Sequence, residues 1–354
     1  MSRFFSQKYS ALTPYTPGEQ PQDMQYVKLN TNESPFAPSQ KAIKEAARAA
    51  ENLQLYSDPE CKELVGIAAE VFGVKKDEII FTNGSDEVLN FAFMAFCDVE
   101  HPAVFPDITY GFYKVFAQLN GIPYSEIPLK DDFTVCTDEY KGINKTVLIA
   151  NPNAPTGILL SVSEIEEIVK SNPQNVVVID EAYIDFGGNS VIPLIKKYDN
   201  LLVVGTFSKA RSLAGGRLGF GIGCKDIIND LNTIKYSTNP YNINRMTAAA
   251  GASTLLDGEY TKKCCAEVMR VREWTANELI KLDFSMTDSK ANFIFAKHEW
   301  ADGKQIYLKL KEKGVLIRHF DTERLCQYNR ITIGSYEQMQ IFIEKLKECL
   351  EELK

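Results

Sequence analysis

Thr146-Val-Leu-Ile-Ala150 leading into Asn151-Pro-Asn-Ala-Pro-Thr-Gly157, Val176-Val-Val-Ile179 leading into Asp180-Glu-Ala-Tyr183, and Leu201-Leu-Val-Val204 leading shortly into Thr206-Phe-Ser-Lys209 repeat one arrangement. Each is a short apolar run, rich in β-branched residues, that ends abruptly in polar ones. Runs apolar on every residue suit strands covered on both faces, which is the condition of a parallel sheet. Between the first two runs, Ser161 with Glu164 three residues on is a capping-box signature, so the connection contains a helix. A strand, a crossover helix and a second strand run parallel, and parallel strands bring their carboxyl ends to one edge, where ligands gather. The expected fold is therefore α/β, with a large, doubly wound, mainly parallel sheet.

Upstream, Glu78-Ile-Ile-Phe-Thr82, the turn Asn83-Gly84-Ser85-Asp86 and the run from Glu87 read as strand, turn and helix. Pro38 and Ser39 precede Ala42, Ile43, Ala46, Ala47 and Ala50 at helical spacing, and the stretch before them, rich in Pro, Gln, Asn and Thr, reads as an irregular arm. Past about Asn242 the chain reads as helical. It then mixes the strands Ala291–Phe295, Val315–Ile317 and Arg330–Ile333 with helices, the last behind a Ser335-x-x-Gln338 cap. We expect a large domain over residues 45–255, with residues 1–44 and 256–354 forming an N-terminal arm and a smaller α+β domain.

The 354 residues hold 39 Lys and Arg against 47 Asp and Glu, a net charge of -8, which leaves no general field to draw nucleic acid or an anionic membrane. At 45% hydrophobic and 24% charged residues the chain is globular rather than disordered. Its first residues contain no apolar core of signal-peptide length, and no run reaches the length needed to cross a bilayer, so a cytoplasmic protein is expected. The eight cysteines form no C-x-x-C pair and have no histidines at metal-ligand spacing, so no metal site is expected. His101, His298 and His319 lie in no motif, which argues against a Ser-His-Asp or Cys-His hydrolase. Gly219-Phe-Gly-Ile-Gly223 lacks the G-x-G-x-x-G spacing of a dinucleotide site and is read as backbone packing.

The polar strand ends supply what pyridoxal 5′-phosphate (PLP) requires of a protein. Lys209 offers an amine for a Schiff base, Asp180 a carboxylate for the pyridine nitrogen, and Tyr183 with an asparagine of the 151–157 turn hydrogen bonds for the ring oxygen. Thr206 belongs to the same strand end. Ser208, Arg217 and the backbone N–H groups of Gly84, Ser85 and Asp86 at a helix start form a cradle for an anion.

Together with Leu12-Thr-Pro-Tyr15, Lys28-Leu-Asn-Thr-Asn-Glu33, Tyr56-Ser-Asp-Pro59, Asn83-Gly-Ser-Asp-Glu87, Thr109-Tyr-Gly111, Gly216-Arg-Leu-Gly219 and Arg330-Ile-Thr-Ile-Gly334, these segments resemble the aspartate-aminotransferase superfamily of PLP fold type I. Within it they are most similar to the histidinol-phosphate aminotransferase branch, and the resemblance runs nearly end to end. It implies transamination between histidinol phosphate and 2-oxoglutarate in histidine biosynthesis, with a phosphorylated amine and a 2-oxo acid or amino acid as partners. It further implies that Tyr110 stacks on the cofactor ring, and that Tyr15, Asn32, Asn153, Arg318 and Arg330 serve the substrate, the arginines at its phosphate. Tyr56 would reach the cofactor phosphate of a neighbouring subunit, which implies a homodimer. The family's turn commonly carries two adjacent asparagines where this chain has Asn153 and Ala154. If the ring oxygen is served by the first, Asn153 supplies the contact; if by the second, Tyr183 acts alone. Threonine-phosphate decarboxylation and aromatic amino-acid transamination are the alternative activities on the same fold.

Overall fold

A computed structural model describes residues 2–10 and 12–354; Met1 and Ala11 lie outside the described residues. Seven strands form the large sheet in the spatial order Ile79–Asn83, Leu218–Gly223, Leu201–Thr206, Val177–Asp180, Thr146–Ala150, Ala103–Pro106, Tyr124–Ile127. All pairings from Leu201–Thr206 to Tyr124–Ile127 are parallel. Leu218–Gly223 runs antiparallel to both of its neighbours.

The unbroken apolar strands follow from burial on two sides. Val147, Ile149, Val177, Ile179, Leu201 and Val203 point into one cluster, with Leu64, Ile165 and Ala250 from the covering helices. Leu148, Val178, Leu202 and Val204 point into the other, with Leu89, Phe116 and Leu231. Successive residues of a strand alternate faces, so a strand sandwiched between helix layers has no polar face to spare.

Ser39 caps the Gln40–Ala50 helix by accepting from the Ala42 N–H, and Ser161 with Glu164 closes a reciprocal box at the start of Val162–Ser171. The boundary drawn at residues 44 and 45 falls inside the first of these helices, which packs along its length on Arg245–Leu256. A second, four-stranded antiparallel sheet has the order Arg318–His319, Tyr328–Thr332, Phe293–His298, Phe284–Met286, and its core includes Val268, Ile306 and the apolar stripe of Tyr336–Leu353.

The glycines of the 219–223 run lie on the strand Leu218–Gly223 and serve backbone packing: a Cβ at Gly219 would lie 2.2 Å from the Ser85 nitrogen. One segment differs from the sequence expectation: the arm is not wholly irregular, because Val27–Lys28 pairs in parallel with Val315–Leu316 in a separate two-stranded sheet that ties it to the C-terminal part of the chain. Among the described residues no helix is long and apolar enough to cross a membrane, and no three His, Cys, Asp or Glu side chains gather as a metal site.

Candidate active site

Parallel pairing sets Ala150 beside Asp180 and Asp180 beside Val204, so the residues that follow these strands share one edge. Over that edge lies a cavity of about 880 Å³, closed from the far side by the smaller sheet and the arm. Its walls include Tyr15, Asn32, Ser85, Asp86, Tyr110, Asp180, Tyr183, Thr206, Ser208, Lys209, Arg217, Arg318 and Arg330. Thirteen side chains singled out on the sequence thus meet in one space. Gly84 sits just behind the wall under the Arg217 guanidinium.

Asp180 is buried, with Tyr113 Oη donating to its Oδ2 (3.2 Å) and the Ala182 N–H to its Oδ1 (3.1 Å). Burial without a cationic partner pushes its carboxyl up to about 7. A cationic ring nitrogen set against it would return it to the ionised form. Lys209 extends from the next strand end and donates to the Thr31 carbonyl (3.0 Å). Desolvation, and then the positive charges of Arg330 and Arg217, lower its amine to about 8, so roughly a tenth of it is neutral at pH 7.

The anion cradle is built from backbone. Gly84 has φ +79, and a Cβ there would lie 2.5 Å from an Arg217 guanidinium nitrogen, so only glycine leaves room for that side chain over the Ser85–Phe96 helix start. Asp86 accepts from Tyr110 Oη (2.6 Å) and from Arg217 (2.9 Å), which fixes the aromatic plate and the guanidinium relative to each other. Thr206 Oγ1 donates to the Ser208 hydroxyl (3.0 Å) and accepts from the Ser208 backbone N–H (3.1 Å). A helix N-terminus, a guanidinium, a hydroxyl pair, a buried acid and a desolvated amine around one space fit PLP: the first three suit its phosphate, Asp180 its ring nitrogen and Lys209 its aldehyde.

On the opposite wall Arg318 and Arg330 are register partners in adjacent antiparallel strands. Arg330 donates to the Asn30 carbonyl (3.0 Å), its buried Nε has no acceptor among the described residues, and its guanidinium lies 5.4 Å from the Phe293 ring and 5.9 Å from the Phe320 ring. Arg318 lies over Phe320 and makes only long bonds to the Thr16 and Pro17 carbonyls (3.4 and 3.3 Å).

Two residues lie elsewhere. Asn153 is packed behind the wall, where its amide bonds Thr109, Ile108 and Thr156, and Ala154 lines the cavity in its place. Tyr56 is 80% exposed, stacked on Tyr241 at 4.6 Å and outside the cavity wall of its own chain.

Sequence reasoning passed over Tyr113, Thr31 and Arg324. Tyr113 follows Tyr110 by three residues, a spacing that places both on one side of a helical turn, and this was the available signal. Arg324 gave none: it clamps the cavity mouth through Asp107 (3.1 Å) and the carbonyls of Leu129 and Lys130, contacts some two hundred residues apart in the chain.

Known proteins share both sequence and fold with this chain. The profile of the family described as aminotransferase class I and II matches residues 24–346. A histidinol-phosphate aminotransferase of Brachyspira hyodysenteriae is 48% identical over 355 residues, covering 99% of this chain and 100% of that one. One of Clostridium botulinum is 45% identical over 354 residues, covering 100% of both. The solved structure of histidinol-phosphate aminotransferase from Sinorhizobium meliloti in complex with pyridoxal-5′-phosphate is 22% identical and superposes with a TM-score of 0.85, covering 93% of this chain and 92% of that one, which shows the common fold. Matched by that profile over most of its length, and by those two enzymes over nearly all of it, this chain belongs to the class I and II aminotransferases, in their histidinol-phosphate aminotransferase branch.

Proposed function

We propose that the protein is a PLP-dependent histidinol-phosphate aminotransferase that exchanges the amino group of histidinol phosphate with 2-oxoglutarate. The observation that carries the substrate is the arginine pair: like charges directly opposite across two strands repel, and among the described residues no carboxylate sits against Arg330. A phosphate, with close to two negative charges and several acceptor oxygens, relieves that repulsion better than a single carboxylate does. When bound, PLP supplies an electron sink for the bond broken at the substrate's α carbon. Asp180 holds the proton on the ring nitrogen, Tyr183 donates to the ring oxygen, and Tyr110 covers the ring. Ser208, Arg217 and the N–H groups of residues 84–86 hold the cofactor phosphate. Lys209 carries the proton to and from the α carbon, while Tyr15, Arg318 and Arg330 bind the substrate. Exposed Tyr56 serves the site of a second copy, in a homodimer.

The test is a single turnover with purified, PLP-loaded protein. Histidinol phosphate should convert the cofactor to pyridoxamine phosphate, and 2-oxoglutarate should restore it. Release of carbon dioxide from threonine phosphate, with no pyridoxamine phosphate from histidinol phosphate, would replace this reading by the decarboxylase one.

A further inference from the structure

Tyr183 carries one hydroxyl hydrogen, and the surrounding bonds dictate where it goes. Asn32 Nδ2 donates to Tyr183 Oη at 2.9 Å, so the phenol oxygen is an acceptor on that side. The amide cannot turn around cheaply. Thr332 Oγ1 accepts from the Asn32 backbone N–H (3.0 Å) and donates to Asn32 Oδ1 (3.0 Å), which leaves Nδ2 facing Tyr183. Asn292 holds the same residue through the Asn32 carbonyl (3.0 Å). Asn32 has φ +55, a left-handed conformation that asparagine and aspartate tolerate better than other side-chain-bearing residues. Among the described residues no protein atom accepts the Tyr183 hydrogen.

The 151–157 turn offers no second donor. Asn153 spends both amide hydrogens on Ile108 O (2.9 Å) and Thr156 Oγ1 (3.1 Å), and its Oδ1 accepts from Thr109 (2.8 Å). The residues of the turn that line the cavity are Ala154 and Pro155, and neither carries a side-chain donor.

We propose that Asn32 is a positioning residue: by donating to Tyr183 it turns the phenol hydrogen toward the cofactor ring oxygen, for which Tyr183 is the single side-chain donor among the described residues. The proposal rests on the PLP reading above. Burial holds the Tyr183 phenol above its ordinary range, so the hydrogen stays on it at working pH. The charged and titratable groups around Tyr183 are Lys209, whose amine is 5.9 Å from its ring, with Arg330, Asp180, Tyr15 and Tyr113.

A donor to the ring oxygen stabilises its anionic form and so makes the neighbouring imine nitrogen less basic. The experiment is a spectrophotometric pH titration of the PLP-loaded protein, which reads that basicity directly and needs no turnover. Asn32→Asp keeps shape and backbone tolerance but replaces the donor by an acceptor, and Tyr183 then gives its hydrogen to residue 32. The midpoint should rise by about one to two pH units, the scale of losing one hydrogen bond to a charged group. Tyr183→Phe should rise as much, and the double variant no further, because both changes remove one bond. Additive shifts would mean that the new carboxylate acts through space, and would overturn the proposal. So would an unmoved midpoint in Asn32→Asp beside a raised one in Tyr183→Phe. A midpoint unmoved in Tyr183→Phe itself would instead sink the ring-oxygen assignment beneath it. Thr332→Val gives a second route should Asn32→Asp fold poorly: loss of the hydroxyl that orients the amide should raise the midpoint by a smaller amount, and no rise there counts against Asn32. Asn153→Ala should leave the midpoint in place; a shift equal to that of Tyr183→Phe would refute the single donor.

Discussion

Asp180 and Arg330 face each other across one cavity, and the protein treats them in opposite ways. The acid, at the end of a central parallel strand, receives bonds from Tyr113 and from the Ala182 N–H and sits among strands that are buried throughout. The guanidinium, in the smaller antiparallel sheet, gives one bond to a backbone carbonyl, leaves its Nε unmatched and stands opposite a second arginine. The strand-end wall is nearly self-sufficient, and its perturbed groups are set by burial. The other wall keeps positive charge without a counter-ion, so its electrostatics are completed from outside. In the proposed function the groups that serve the cofactor stand at the ends of buried parallel strands, while recognition of a ligand that comes and goes is left to a wall that gains most when the ligand arrives.

The comparison breaks most severely at Lys209. Lys209→Ala is expected to fold and to lose turnover by roughly 10⁴-fold or more, because in the proposed function this amine both holds the cofactor and transfers the proton. Borohydride reduction of the wild-type protein followed by peptide mapping should label Lys209, and a label on another lysine would remove the assignment. Because the amine must be neutral to attack the aldehyde, reloading of cofactor-free protein should quicken as pH rises through about 8 and level off above it.

Asp180→Asn keeps the strand end and removes its charge. The rate should fall by about a hundred- to a thousandfold, the scale of deleting one preorganised electrostatic contact, with a much smaller loss in PLP affinity. Equal losses in both would mean that Asp180 only helps to retain the cofactor.

The recognition wall should answer more gently and more selectively. Arg330→Ala should raise the KM for histidinol phosphate about ten- to a hundredfold, from the loss of one charge-assisted contact of about 1.5 to 3 kcal/mol, and leave the cofactor spectrum unchanged. Arg318→Ala should do less, because that side chain is partly solvated and already bonded to the arm. Dephosphorylated histidinol separates the explanations: wild type and Arg330→Ala should use it equally poorly. Equal damage toward both substrates would assign Arg330 to structure or to the amino-donor carboxylate.

The smallest effect concerns stability on the strand-end side. Burial raises the Glu181 carboxyl to about 8, where it bonds Ser190 Oγ (2.5 Å) and the Val191 N–H (2.7 Å). A folded-state value raised above the unfolded one means that the folded protein binds the extra proton, so this contribution is full below about 4.5 and is lost as pH rises through 8. Glu181→Gln should flatten that decline, by on the order of a few kcal/mol at most, in denaturant titrations between pH 5 and 9.

The sequence by itself determined the large sheet, its polar edge and most of the cofactor side. Strands apolar at every position can only be covered on both faces, and parallel connections then bring Asn151, Asp180 and Lys209 to the same end. Local signals of this kind survive without tertiary information because they arise within a few residues of each other. Tertiary structure alone decided which atoms face the cavity. It turned Asn153 inward and left Ala154 on the wall, a matter of rotamer and packing that the turn's composition does not encode. It joined Asn32 to Thr332 across 300 residues and to Tyr183 across 151, and it put Arg318 opposite Arg330 through a strand register set by the core of the smaller sheet. Hydrogen-bond direction and unmatched charge depend on partners distant in the chain, which is why they become legible only once the chain is folded.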